Sequence, residues 1–242
     1  FIYLDPARRD EHGSRTYAIE DCTPNVLELR DLLLAKSQYT LVKLSPMLDW
    51  RKAVADFDGA VREVHIVATG NECKELLLVL GQQVHEEPSA PRVFCVNDNQ
   101  RIDYDSAAYT QGLRIGGKPL PEVKNYLYEP NASIMKAGCF DLVEERFGVT
   151  QVGPSSHLFV SATPVADFPG RGFAIEAIGG MNKKDIKRLL NGTKQANIAV
   201  RNFPLTAPQL RKKLKLADGG PVYLFGTTMQ GCDHVLLRTS KI

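Results

Sequence analysis

Phe1-Ile2-Tyr3-Leu4-Asp5-Pro6-Ala7-Arg8-Arg9 is the stretch on which the fold turns. Its first four residues are apolar, aromatic or β-branched and read as a core strand, and Asp5-Pro6 then delivers the chain into a Gly-containing loop. A natural amino terminus seldom opens inside a core strand, and Phe rather than Met stands first. The sequence therefore reads as a fragment of a longer protein.

Outward from this strand the pattern alternates. Thr23-Pro24 offers an N-cap and a first-turn proline for a helix over 25–36, with Val26, Leu29, Leu32 and Leu33 at helical spacing. Tyr39 to Leu44 predicts a second strand ending at Ser45-Pro46, a helix follows over about 48–57, and Val61 to Ala68 predicts a third strand closed by Thr69-Gly70-Asn71. Glu72 to Leu80 is helical by composition, and Arg92 to Val96 supplies a fourth strand. Strands separated by helices predict a mostly parallel sheet, whose ligand crevice lies outside the carboxyl ends of its strands. Asp5-Pro6, Ser45-Pro46 and Gly70-Asn71 then share one edge.

Residues 98–124 are polar and rich in Gly and Pro and read as a linker with an edge hairpin. A helix over 131–147 and a strand over 157–162 follow, and Pro164 to Gly172 breaks the chain again. The last 70 residues read as a compact α/β unit, with helices opened by Asn182 (Asp185 at N3) and by Thr206. Charge singles this unit out: residues 173–242 hold 12 Lys and Arg against 4 Asp and Glu (net +8), while the whole chain is only +2. Such asymmetry points to a polyanionic partner. Lys183, Lys184, Lys187 and Arg188 crowd one of its helices and Arg211, Lys212 and Lys213 the other, the electrostatic footprint of phosphate binding; a solvated helix face accounts for the pattern equally well.

Five scattered cysteines, none spaced as CxxC, indicate neither a disulfide framework nor a zinc site, and no metal site is expected. No apolar run approaches the roughly 18 residues that span a bilayer, so the default is a cytoplasmic protein with no membrane partner. In the Asp5-Pro6-Ala7-Arg8-Arg9 loop, a carboxylate on a proline-stiffened turn suits orienting an amino group, and the two guanidiniums suit a phosphate or carboxylate. A helix-capping Asp beside a solvated basic loop is the competing reading.

Tyr3-Leu4-Asp5-Pro6-Ala7-Arg8-Arg9, Glu20-Asp21-Cys22-Thr23-Pro24-Asn25, Val42-Lys43-Leu44-Ser45-Pro46, Gly70-Asn71-Glu72-Cys73-Lys74-Glu75, Tyr128-Glu129-Pro130-Asn131 and Asn202-Phe203-Pro204-Leu205 together resemble the second half of a class I S-adenosylmethionine-dependent methyltransferase with a THUMP-like carboxyl-terminal domain. The resemblance implies an α/β fold in three parts: residues 1–100 as the C-terminal half of a Rossmann-like methyltransferase sheet, 101–172 as linker and ferredoxin-like segment, and 173–242 as the THUMP-like basic domain. It implies methyl transfer to RNA, a tRNA or an rRNA, with the basic module delivering substrate. Asp5 and Pro6 take the catalytic, target-orienting place, and Arg8, Arg9, Lys43 and Ser45 line the substrate crevice. Ala7 and Arg8 depart from the (Asp/Asn)-Pro-Pro-aromatic form of the motif, which leaves the target base open. The Gly-rich donor loop of the family has no counterpart: Gly116-Gly117 and Gly219-Gly220 follow no suitable strand. S-adenosylmethionine is thus the cofactor of the complete protein and is not expected to bind this fragment. A non-catalytic RNA-binding scaffold and a small-molecule methyltransferase with a basic accessory domain are the alternatives.

Overall fold

The computed structural model describes residues 1–7, 19–82, 90–109, 122, 124–231 and 233–242. They form two compact units, one containing the described residues up to 109 together with Ala132–Gly138, the other the remainder.

The first unit runs β1 (Ile2–Leu4), α1 (Arg30–Lys36), β2 (Tyr39–Leu44), α2 (Trp50–Asp56), β3 (Val61–Thr69), β4 (Glu72–Gly81), β5 (Arg92–Asn97) and β6 (Gln100–Asp105). Its sheet has the order β1-β2-β4-β3-β5-β6. β1 pairs parallel with β2 and β3 with β5, while β4 runs against both its neighbours and β6 against β5. The sheet is therefore mixed rather than mostly parallel.

The reversal follows from a strand where composition predicts a helix. Gly70 (φ 56°) and Asn71 (φ 63°) both take the left-handed conformation and close a two-residue hairpin between β3 and β4, the turn that matches strand twist. Glu72–Gly81 is rich in Leu, Glu and Lys, which favour helices, but Leu76, Leu78 and Leu80 alternate into the core. Hydrogen bonding to β2 on one side and β3 on the other outweighs a propensity of a few tenths of a kcal/mol per residue.

The helix predicted from residue 25 starts only at Arg30, and Thr23 does not cap it. The Asn25 side chain accepts from Leu27 N–H at 3.1 Å, a local turn that competes with helix over the preceding residues. α2 begins as its sequence predicts, with Asp49 accepting from the N–H groups of Arg51 and Lys52.

The stretch 131–147 forms two helices, α3 (Ala132–Ala137) and α4 (Phe140–Phe147), rather than one, because Gly138 (φ 67°) turns the chain between them. α3 belongs to the first unit, where Asn71 Oδ1 accepts from its Ala132 N–H (2.8 Å) and Trp50 Nε1 donates to its Ala137 carbonyl (3.3 Å). The second unit contains β7 (Tyr126–Pro130), α4, β8 (Thr150–Gln151), β9 (Phe159–Ser161), β10 (Gly170–Gly179), α5 (Lys183–Leu190), β11 (Asn197–Arg201), α6 (Ala207–Leu214), β12 (Val222–Thr228) and β13 (His234–Lys241).

These strands form one sheet of order β11-β12-β13-β10-β7-β9-β8. It coils back on itself: Gln230 N–H, in the turn between β12 and β13, donates to the Val152 carbonyl just past β8 (2.9 Å). One face encloses Leu127, Val152, Leu158, Val160, Phe173, Phe225 and Leu237. The other is covered by α5 and α6 over Leu189, Leu210, Leu214, Leu224 and Leu236. Both helices carry the caps their sequences predict, Asn182 accepting from Asp185 N–H and Thr206 forming a reciprocal box with Gln209.

Candidate functional site

β1, β2, β3 and β5 run in one direction, so their carboxyl ends meet at one edge of the first sheet. Asp5 follows β1 directly. Pro6 is buried, and Ala7 ties the loop down through paired backbone hydrogen bonds with Thr23 (2.8 and 3.0 Å). The Asp5 side chain stays 42% exposed on a fixed backbone, which leaves it open to a ligand. Arg8 and Arg9 lie outside the described residues.

Lys43, at the end of β2, brings its Nζ to 2.9 Å from the Asp5 carboxylate and 3.7 Å from that of Glu75. The hydrogen bond to Asp5 raises the ammonium above its ordinary value of 10.5; burial opposes this and Glu75 adds to it. Lys43 is therefore a stable cation between two carboxylates. Ser45 sits at the same edge, but its Oγ accepts from Met47 N–H (3.3 Å) and shapes the turn after β2.

Glu75 is a site residue that reading the sequence did not supply. Its place follows from β4 being a strand: the Gly70-Asn71 hairpin returns the chain to the edge at which β2 ends. One of its oxygens, Oε2, is buried without a hydrogen-bond partner among the described residues. Close by, the Cys73 thiol is pushed above 9.0 by burial, with Lys136 opposing and Glu75 reinforcing. The Gly-Asn dipeptide closing the β-branched run Val61–Thr69 was the clue available in sequence.

Among the described residues, this edge gathers the Asp5 and Glu75 carboxylates around the Lys43 ammonium. Its glycine, Gly70, has a left-handed φ and gives its N–H to Asp98 (3.1 and 3.2 Å), so that backbone is committed to joining the two hairpin turns.

In the second unit, Lys183, Lys184 and Lys187 on α5 and Lys212 and Lys213 on α6 are exposed. Arg188 is exposed as well and Arg211 half-buried, and both make contacts that the lysines do not. Arg188 donates to the Ile178 carbonyl (2.7 Å) and pairs with Asp185 (3.0 Å). Arg211 donates to the carbonyls of Ala196 and Ala217 (both 2.9 Å) and pairs with Asp218 (2.6 Å). Both guanidiniums fasten helices to the sheet.

No helix among the described residues is long and apolar enough to cross a membrane. Residues 126–169 match a family described as a ferredoxin-like domain, and residues 170–241 match one described as THUMP domain-like. No curated protein matches the chain. Among solved structures, a "putative methyltransferase" from Porphyromonas gingivalis W83 is 35% identical, with a TM-score of 0.86 over 99% of this chain. The chain spans 59% of that protein's length. It is accordingly an α/β chain with the fold of the aligned part of that methyltransferase, ending in a ferredoxin-like and then a THUMP-like domain.

Proposed function

We propose that the complete protein is an S-adenosylmethionine-dependent methyltransferase of the cytoplasm that modifies RNA, a tRNA or an rRNA. The observation that carries this reading is the exposed Asp5 carboxylate, held by Lys43 at 2.9 Å on the carboxyl edge of the sheet. A backbone-anchored carboxylate accepts an N–H of the target and aims the nitrogen lone pair, and the neighbouring ammonium holds that carboxylate in place. No residue of this edge is assigned to the donor. The lysines of α5 and α6 are proposed to draw in the RNA phosphates, in keeping with the THUMP-like match of residues 170–241.

A labelled-methyl assay on cellular RNA, comparing the complete enzyme with its Asp5→Ala variant, tests the assignment. Losing a preorganised acceptor costs roughly 100-fold or more in rate, with RNA affinity little changed. Equal incorporation by the two proteins removes Asp5 from the mechanism. No incorporation by either, with RNA still bound, favours the scaffold reading.

A further inference from the structure

Four polar residues share a position that the fold dictates. Glu129, Arg171, Arg201 and Thr227 each stand two residues along a strand from a side chain of the apolar cluster on the concave face of the second sheet: Leu127, Phe173, Ala199 and Phe225 respectively. Because side chains alternate along strands, all four point to the face that those core residues occupy, at the rim of the cluster. Two of the pairs are direct cross-strand neighbours, Glu129 with Arg171 and Arg201 with Thr227.

Glu129 is the anchor. Its side chain is only 4% exposed, and both carboxylate oxygens are taken: Oε2 accepts from Arg171 Nε (3.0 Å) and Nη2, and Oε1 accepts from Arg201 Nη2 (2.8 Å). The arginine side chains remain 44% and 40% exposed. One buried carboxylate thus orients two guanidiniums whose outer edges face solvent, and it leaves one positive charge uncompensated.

Two donors at the rim also lack partners among the described residues: Arg201 Nε and the Oγ1 of the fully buried Thr227. Leaving a buried donor unmade costs on the order of 1–3 kcal/mol, and native structures seldom keep two such groups side by side without a ligand. A bound water answers hydrogen bonds but not the surplus charge.

We infer that Arg171, Arg201 and Thr227 form a phosphate-binding site, positioned by Glu129, on the face of the THUMP-like unit opposite α5 and α6. A tetrahedral anion presents enough acceptor oxygens to meet the outer N–H groups of Arg171 and, once the side chains covering them part, the Nε of Arg201 and the hydroxyl of Thr227. His157 reports the same field. It stacks on Phe140 at 4.4 Å, and burial together with the Arg201 charge holds its pKa below 6.5. Assigning the phosphate to an RNA backbone rests on the function proposed above; the phosphate site itself does not.

The test titrates the whole chain with inorganic phosphate and, separately, with a 12-nucleotide single-stranded RNA carrying a 5′ hydroxyl. Thr227→Val keeps the shape and removes the hydroxyl; it is expected to weaken phosphate binding roughly 5- to 10-fold while leaving the melting temperature unchanged or raised. Arg201→Gln is expected to weaken it about 10- to 100-fold. Matching losses with the RNA identify the backbone as the source. Losses with phosphate alone keep the site and refute the RNA assignment at this face. Phosphate and RNA affinities that neither variant alters, or a wild-type chain that binds no phosphate, overturn the inference. A Thr227→Val chain that melts lower with unaltered phosphate affinity shows a merely structural hydroxyl and overturns it as well.

Discussion

Replacing Glu129 by Gln isolates the charge at the centre of the arginine pair without opening a cavity. The carboxylate is nearly inaccessible and accepts three hydrogen bonds from two cations. Breaking a buried ion pair by removing one partner costs about 3–5 kcal/mol when the remaining charge stays buried. Two features lower that figure here. The amide keeps one acceptor oxygen, and the arginines, at 44% and 40% exposure, recover water on their outer edges. A loss of about 2 kcal/mol remains, since two like charges now face each other across an unneutralised gap. For a unit of roughly 120 residues that is a melting temperature lower by about 6–10 °C.

Urea unfolding followed by far-UV circular dichroism reads the change as a shift in midpoint at constant slope. The double variant Glu129→Gln, Arg201→Gln supplies the control. Removing one guanidinium relieves the repulsion, so the double variant should be about 1 kcal/mol more stable than the sum of the single effects. A Glu129→Gln protein within about 0.5 kcal/mol of wild type, or strict additivity in the cycle, refutes the idea that Glu129 organises this face.

Three further outcomes follow from particular contacts. A Cβ at Gly153 would collide with the Thr228 carbonyl and lie 2.8 Å from the Met229 carbonyl carbon, so Gly153→Ala should cost about 2 kcal/mol or more in urea unfolding; an unchanged midpoint would deny that the sheet closes there. His157 has a folded pKa below its ordinary 6.5, so the unfolded chain takes up the proton first: its contribution to stability is complete above that value and lost as pH falls from there through the folded pKa. His157→Gln should flatten stability in that window, and Arg201→Gln should move the imidazole resonance upward in pKa by NMR; no movement would place Arg201 out of electrostatic reach. Replacing exposed Lys183, Lys184 and Lys187 together by Gln should flatten the log-log salt dependence of RNA affinity by about 2 units, at roughly 0.7 per phosphate contact; an unchanged slope leaves these lysines a solvated face.

The sequence disclosed the shared edge because strand ends announce themselves. Asp5-Pro6 and Ser45-Pro46 stop apolar runs with residues that cannot continue a ladder, and each lies where the structure turns the chain. The caps at Asn182 and Thr206 were equally plain, since they depend on one side chain and one nearby N–H. Glu72–Gly81 was misleading because its leucines satisfy period 2 and period 3.6 alike, and only the left-handed pair Gly70-Asn71 decides between them. With that segment taken as a helix, Glu75 had no path to Lys43. The same limit governs the long cations. Composition counts Arg188 and Arg211 with the lysines, but whether a flexible head reaches water or curls back to a carbonyl is a tertiary fact.

The charge of the THUMP-like unit is thus held in two physically different ways. On the helix-covered side, Lys183, Lys184, Lys187, Lys212 and Lys213 are exposed, flexible point charges whose pull falls steeply with ionic strength. On the concave side, Arg171 and Arg201 are fixed in direction by a buried carboxylate, and part of their field passes through protein, where salt screens it less. The first arrangement gathers a polyanion from a distance and tolerates any register; the second accepts a phosphate only where its oxygens meet donors already in place. If both act on one RNA, the lysine variants should change association rate and salt slope, whereas Arg201→Gln should act mainly on dissociation and lower the slope by no more than about one contact. Equal effects of the two kinds of variant on rate and slope would show that the concave site has no orienting role.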